Sequence, residues 1–196
     1  MQTFAYGDLR GIKSDADPAL GGNVDHGDPY TFAPSVWDYL VYRFAVHSVL
    51  DVGCGQGHAA AYFHRRHGCA VVAIDGLDDN IIRAVYPMVV HDLRKGPFVT
   101  RVDLVHCIEV VEHIEAEHIH NILATLIGGR VVMMTAAAPG QPGFHHVHCQ
   151  PIDYWINRMK DCGYTHSSID TERIRGLAER DKAIHFRNTG MVFIRT

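Results

Sequence analysis

The spacing of apolar residues divides the chain near residue 32. Before that point Gly, Asp and Pro recur without a lasting period, as in Gly21-Gly22-Asn23 and Gly27-Asp28-Pro29-Tyr30. This predicts a long arm or lid with little regular structure over residues 1–32. Beyond it, Trp37, Leu40, Val41 and Phe44 fall at i, i+3, i+4 and i+7 and predict a core-facing helix that opens near Pro34. Short continuous apolar runs follow at 48–52, 70–75, 88–91, 103–108 and 131–135, each read as a buried strand. Helical stretches separate them. One covers 58–67 and is stopped by Gly68; another carries Ile119, Ile122, Leu123 and Leu126 on one face and ends at Gly128-Gly129. A third opens at Pro151 and carries Tyr154, Trp155, Ile156 and Met159 to Gly163. A weak strand at 164–169, a polar helical stretch at 171–182 and a last strand at 190–196 complete the pattern. Strands alternating with helices predict one α/β domain over residues 33–196, a doubly wound, mostly parallel sheet with helices on both faces.

Composition narrows the partners. With 196 residues the chain has room for one proper core, and 47% hydrophobic and 20% charged residues are ordinary for a soluble domain. The net charge is −4 and there is no dense Lys/Arg run, which argues against a nucleic-acid partner. No stretch approaches the ~20 apolar residues of a membrane span, and a signal-peptide pattern is lacking. The five cysteines form no Cys-x-x-Cys pair and read as reduced thiols, so a cytoplasmic location is expected. The fifteen histidines raise the question of metal or proton chemistry.

The chemistry concentrates first at Asp51-Val52-Gly53-Cys54-Gly55-Gln56-Gly57, where a strand runs through a glycine bend into a helix. Glycines permit positive φ and a close backbone approach to a ligand, and the helix start offers free N–H groups. Two cofactors compete for such a bend. The dinucleotide fingerprint is Gly-x-Gly-x-x-Gly, whereas the glycines here are spaced Gly53-x-Gly55-x-Gly57. Asp51, two residues before the first glycine, would repel a diphosphate but could receive an ammonium directly or through water. A carboxylate at the end of the second strand, Asp75, suits ribose hydroxyls, although a helix cap is its structural alternative.

At this point the sequence resembles class I S-adenosylmethionine-dependent methyltransferases, whose first motif is a strand ending in Asp-x-Gly-x-Gly-x-Gly. The resemblance covers about residues 33–196 and implies a seven-stranded sheet, with the final strand antiparallel beside the fifth. It implies S-adenosylmethionine as cofactor, held by Asp51, Gly53, Gly55, Gly57, Asp75, Gly76, Asp92, Leu93 and Glu109. In that set Asp92 accepts from the adenine amino group and the Leu93 backbone lies beside the ring. On its own, an Asp before Arg94-Lys95-Gly96-Pro97 is more often turn chemistry than a ligand contact.

A second concentration is Glu109-x-x-Glu112-His113, three metal-capable side chains in five residues at a strand end. It resembles the Glu-x-x-Glu-His of ubiquinone-pathway O-methyltransferases and of metal-dependent small-RNA terminal 2′-O-methyltransferases. In the latter a later histidine completes the metal site, a place His148 or His145 could fill. Glu109, Glu112, His113 and His148 are therefore the candidate ligands of a divalent cation such as Mg2+, while helix capping is the alternative reading of the acids. His113 or His148, with Glu112, are the candidate catalytic residues, because an imidazole titrating near neutrality suits proton removal from a methyl acceptor. The loop His145-His146-Val147-His148 would deliver its rings just past the fifth strand. The expected function is O-methylation of a small metabolite, sugar or natural-product hydroxyl. An RNA-end 2′-O-methyltransferase and a catalytically silent cofactor-binding partner protein are the alternatives, with a nicotinamide dehydrogenase further behind.

Overall fold

A computed structural model of the protein describes Leu20 and residues 27–196. Most of the expected arm, residues 1–19 and 21–26, lies outside the described residues. Helix α1 (Pro34–Phe44) starts with proline in its first turn and ends at Ala45 in the left-handed conformation. Its predicted stripe of Trp37, Leu40, Val41 and Phe44 is buried. Strand β1 (Ser48–Val52) leads through the glycine bend to α2 (His58–His67), which Gly68 terminates at φ 68°. Strand β2 (Ala70–Asp75), a short helix α3 (Asp79–Ile82) and strand β3 (Val89–Val90) follow, then β4 (Val102–Cys107) and α4 (Ile119–Leu126). The chain continues as β5 (Gly129–Met134), α5 (Ile152–Asp161), β6 (Tyr164–His166), α6 (Ser168–Asp181), α7 (Ile184–Thr189) and β7 (Met191–Arg195).

These strands form one seven-stranded sheet in the order β3-β2-β1-β4-β5-β7-β6. The five from β3 to β5 are parallel, and β7 runs antiparallel between β5 and β6. Successive residues of each central strand enter opposite cores. Val49, Leu104, Val131 and Val192 pack with Trp37, Phe63 and Phe186 on one face. Leu50, Val105, Val132 and Phe193 pack with Ile122, Trp155 and Met159 on the other. That two-sided burial is why the strands read as unbroken apolar runs. The chain reverses its order of winding between β1 and β4, and the crevice outside the carboxyl ends of those strands is where such folds bind ligands.

The elements differ from the sequence expectation in several places, the short helix α3 among them. Strand β3 has two residues where four were expected, and both are exposed at the sheet edge. Strand β5 begins at Gly129, read as a helix stop; a Cβ there would lie 2.9 Å from the Val105 backbone nitrogen, so the absent side chain lets β4 come close. Helix α6 starts at Ser168 because the Ser167 hydroxyl accepts the Asp170 N–H at 3.3 Å, a capping interaction the 164–169 strand reading passed over. The short helix α7 carries no long apolar period and was not foreseen.

Candidate active site

The glycine bend is built around positive φ at all three glycines, 62° at Gly53, 54° at Gly55 and 81° at Gly57. Their surroundings differ. A Cβ on Gly53 would lie 2.3 Å from Val110 Cγ2, whereas one on Gly55 would meet nothing within 4 Å. Gly53 is glycine because the protein is close, and Gly55 sits against open space.

Asp51 does not open onto that space. It is 2% exposed; one oxygen accepts from His106 Nδ1 at 2.7 Å and the other from the Ala60 N–H at 3.1 Å. The Trp37 indole N–H donates to His106 Nε2 at 3.0 Å, so Nδ1 carries the ring proton and donates to Asp51. Asp51 thus ties β1 to the first turn of α2, with one protein donor on each oxygen. The negative charge remains beneath the bend.

Asp75, at the end of β2, is buried, and burial is the main reason its pKa is raised. Its oxygens accept from the N–H of Gly55 at 2.8 Å, the N–H of Leu77 at 2.9 Å and Asn80 Nδ2 at 3.0 Å. The carboxylate therefore braces the bend, and the next residue, Gly76, lines a cleft of about 480 Å3. Gly76, Leu77, Asp78, Val90, His91, Asp92, Lys95 and Gly96 line this cleft, together with Leu20 of the arm. Leu20 touches the space where a Cβ of Gly76 would stand, at 3.2 Å. Asp92 lines the cleft and makes turn contacts too. It accepts from the Arg94 backbone N–H at 2.9 Å and from the Arg94 guanidinium at 2.9 and 3.0 Å. Burial acts to raise its pKa, but these donors lower it overall. Leu93 is buried in the second core.

Beyond β4 the acidic and imidazole groups separate into three sets. Glu109 has the left-handed φ of 53°, uncommon for a residue with a side chain. Its N–H donates to Thr135 Oγ1 at 2.9 Å, and the same hydroxyl donates back to its carboxylate at 2.8 Å. Gln141 Nε2 donates to the other oxygen at 3.3 Å, and His185 Nδ1 stands 2.9 Å from it. His185 Nε2 in turn lies 3.5 Å from Asp28 Oδ2. Burial works against a charged imidazole, yet the two carboxylates outweigh it and raise His185 to about 10.

Glu112, fully buried, accepts the Ala137 N–H at 3.2 Å, and its second oxygen has no donor. Burial first, and the neighbouring Glu109 carboxylate second, push its pKa well above the usual range. Glu109 is instead lowered, despite burial, by His185, so the two neighbouring carboxyls are pushed in opposite directions.

The third set is Glu112, His113 and His146, which bring one donor atom each within 4.8 Å of one another. His113 Nδ1 faces the His145 carbonyl at 3.3 Å, and His146 Nδ1 faces the Gln141 carbonyl at 3.1 Å. Carbonyls only accept, so each ring carries a proton on Nδ1. Burial, helped by His146, lowers His113 to about 4. The N–H groups of Val147 and His148 both donate to the Glu112 carbonyl, at 2.9 and 3.0 Å, fastening the histidine loop onto this segment.

A family model described as a methyltransferase domain matches residues 25–188. The chain belongs to that methyltransferase family. Solved structures agree in fold. The plantazolicin methyltransferase BpumL, solved with a triazolic desmethylPZN analog and SAH, superposes with a TM-score of 0.62 at 13% identity, covering 88% of this chain and 87% of its own. The geranyl diphosphate C-methyltransferase from Streptomyces coelicolor A3(2), solved with Mg2+, geranyl diphosphate and S-adenosyl-L-homocysteine, gives 0.54 at 16% identity, covering 82% and 79%. The magnesium protoporphyrin IX methyltransferase from Synechocystis PCC 6803, with bound SAM, gives 0.57 at 17% identity, covering 83% and 77%. A search of curated protein sequences found no match. Among the described residues of this methyltransferase, no helix is long and apolar enough to cross a membrane.

The methyltransferase's metal-capable cluster differs from the expected ligand set. His146 joins Glu112 and His113, while His148 and Glu109 do not. The His148 ring is 4% exposed and packs on Tyr154 and Trp155, each with centroids 5.6 Å away. Glu109 is already engaged by Thr135, Gln141 and His185. His145 turns to Glu115 Oε1 at 3.2 Å. The donor set nonetheless suits a divalent cation: two imidazoles, each oriented by a carbonyl, and a buried carboxyl oxygen. His185, His106, Lys95 and Leu20 were missed in the sequence. The partners of His185, His106 and Leu20 lie tens of residues away, where no local spacing marks them, and Lys95 stands three residues from Asp92 in a turn that reads as turn chemistry alone.

Proposed function

We propose that the protein transfers the methyl group of S-adenosylmethionine to a hydroxyl oxygen of a small molecule seated between the glycine bend and the Glu112–His113–His146 cluster. The observation that carries this reading is the contrast at the bend: space is kept clear over Gly55 while Gly53 is packed shut. Membership of the methyltransferase family supports the cofactor, and the charge of Asp51 beneath the bend disfavours a diphosphate in its place. In this reading Gly53, Gly55 and Gly57 let the backbone approach the cofactor. Asp75 with Gly76 serves the ribose, and Asp92 with Leu93 serves the adenine in the cleft that Leu20 helps to line. Glu109 stands at the methionine end.

The sulfonium makes its own methyl electrophilic, so the protein aligns the acceptor, excludes water and removes a proton. A His113 held near 4 is neutral at pH 7 and presents an Nε2 lone pair. Such a ring is a weak base, which favours its use beside Glu112 and His146 as a cation ligand. A divalent cation held by Glu112, His113 and His146 would supply Lewis acidity that lowers the pKa of the acceptor hydroxyl. Glu112, buried with one unpartnered oxygen, completes that set. His148, enclosed by Tyr154 and Trp155, is the less favoured base. The net charge of −4 and the lack of a basic run favour a small acceptor over an RNA end.

The test is transfer of labelled methyl groups from S-adenosylmethionine into metabolite extracts, followed by identification of the labelled product. An O-methylated small molecule whose formation falls by about 100-fold or more in His113→Ala is expected. A product labelled on carbon or nitrogen, or equal turnover in the variant, would overturn the acceptor or the role of His113.

A further inference from the structure

Three segments far apart in sequence meet at one imidazole. His185 lies on α7, which Phe186, fully buried in the first core, anchors against the sheet. One ring nitrogen faces Glu109 Oε2 at 2.9 Å, at the end of β4; the other faces Asp28 Oδ2 at 3.5 Å, in the arm. Because both nitrogens face carboxylates, only a ring protonated on both satisfies both. The other Asp28 oxygen accepts the Tyr30 N–H at 2.8 Å, capping the 3-10 turn Pro29–Thr31, so the carboxylate is held on both sides. Tyr30 sets its ring edge against His185 with centroids 6.4 Å apart. One residue upstream, a Cβ on Gly27 would lie 2.6 Å from His58 Cδ2, which places the arm directly on the residue that follows the glycine bend.

We propose that His185 is a positioning residue: bridging Asp28 and Glu109, it fastens the arm beside the glycine bend and holds Glu109 in its left-handed conformation. This rests on the reading that the bend holds the cofactor. The strap gives α7 a role in cofactor retention that the bend, Asp75 and Asp92 do not supply. An arm docked in advance leaves less ordering to be done on binding.

The test compares the full chain with Asp28→Asn, His185→Gln and the double variant by two measurements. Calorimetry reads S-adenosylhomocysteine affinity, and hydrogen exchange without ligand reads residues 27–32. Loss of a charge-assisted contact on either side of the ring is expected to raise Kd about tenfold. The double variant is expected to be no weaker than either single one, since each cuts the same bridge. Exchange at 27–32 rises in all three while α1 stays protected, and Asp28→Glu, which restores a carboxylate, recovers part of both losses. A Kd within about twofold of wild type, additive singles, or unchanged exchange at 27–32 would overturn the proposal. If wild type does not bind S-adenosylhomocysteine, the cofactor reading falls while exchange still decides the strap. Should His185→Gln fail to fold, Asp28→Asn, on the partly exposed arm, decides it.

Discussion

Gly53 and Gly55 share a positive φ but have different neighbours, and that difference separates folding from binding. Gly53→Ala adds a methyl against Val110 as well as backbone strain, an expected cost of about 2–4 kcal/mol of stability. Gly55→Ala incurs the strain only, about 1 kcal/mol, yet puts a methyl where the cofactor is proposed to lie. Thermal melts alongside cofactor titrations check this: Gly55→Ala is expected to stay folded and lose binding. At the same scale, His113 makes stability depend on pH. Its folded pKa, lowered first by burial to about 4, lies below the ordinary 6.5. Between those values the unfolded chain carries the proton and the folded chain does not, so stability falls as pH drops from about 6.5 toward 4. His113→Gln is expected to lose less melting temperature than wild type between pH 7.5 and 5. An equal loss would show that another group governs that window. The glycines were legible because their chemistry is local. The environment of His113 was not, since it depends on a ring 33 positions onward in an irregular loop.

Among the elements, the histidine loop decides the metal question. The Glu-x-x-Glu-His pattern was visible in the sequence, but which later histidine meets it was not. The backbone turns left-handed at His145, and the N–H groups of Val147 and His148 are drawn to the Glu112 carbonyl. Alternation along the chain therefore says nothing about where each ring points. The loop also needs Gly143, where a Cβ would lie 2.1 Å from His146 Nε2. If the cluster holds a cation, Mn2+ or Zn2+ added to chelator-treated protein raises its melting temperature. His146→Ala abolishes that rise, whereas His148→Ala, which opens a gap beside Trp155, lowers the baseline and leaves the rise intact. A rise abolished by His148→Ala and retained in His146→Ala would reverse the ligand assignment. Helix α7 shows the same limit: six residues carry too short a period to announce a helix, and its His185 finds partners only once the sheet is assembled.

For the molecule as a whole, strand and helix alternation was enough to read the doubly wound sheet, because burial on both faces leaves continuous apolar runs in the central strands β1, β4 and β5. The antiparallel place of β7 beside β5 came from the family resemblance, not from the pattern, and the structure bears it out, with β6 on its other side. The central claim concerns the crevice at the carboxyl ends of β1 and β4, where the bend, the cleft lined in part by Leu20 and the Glu109–His113 segment converge. Calorimetric titration with S-adenosylhomocysteine, with NAD as the comparison, tests it most directly. The account predicts one molecule of S-adenosylhomocysteine bound per chain, lost in folded Gly55→Ala, and no heat from NAD. Binding of NAD with no response to S-adenosylhomocysteine, or S-adenosylhomocysteine affinity untouched by Gly55→Ala, would contradict it.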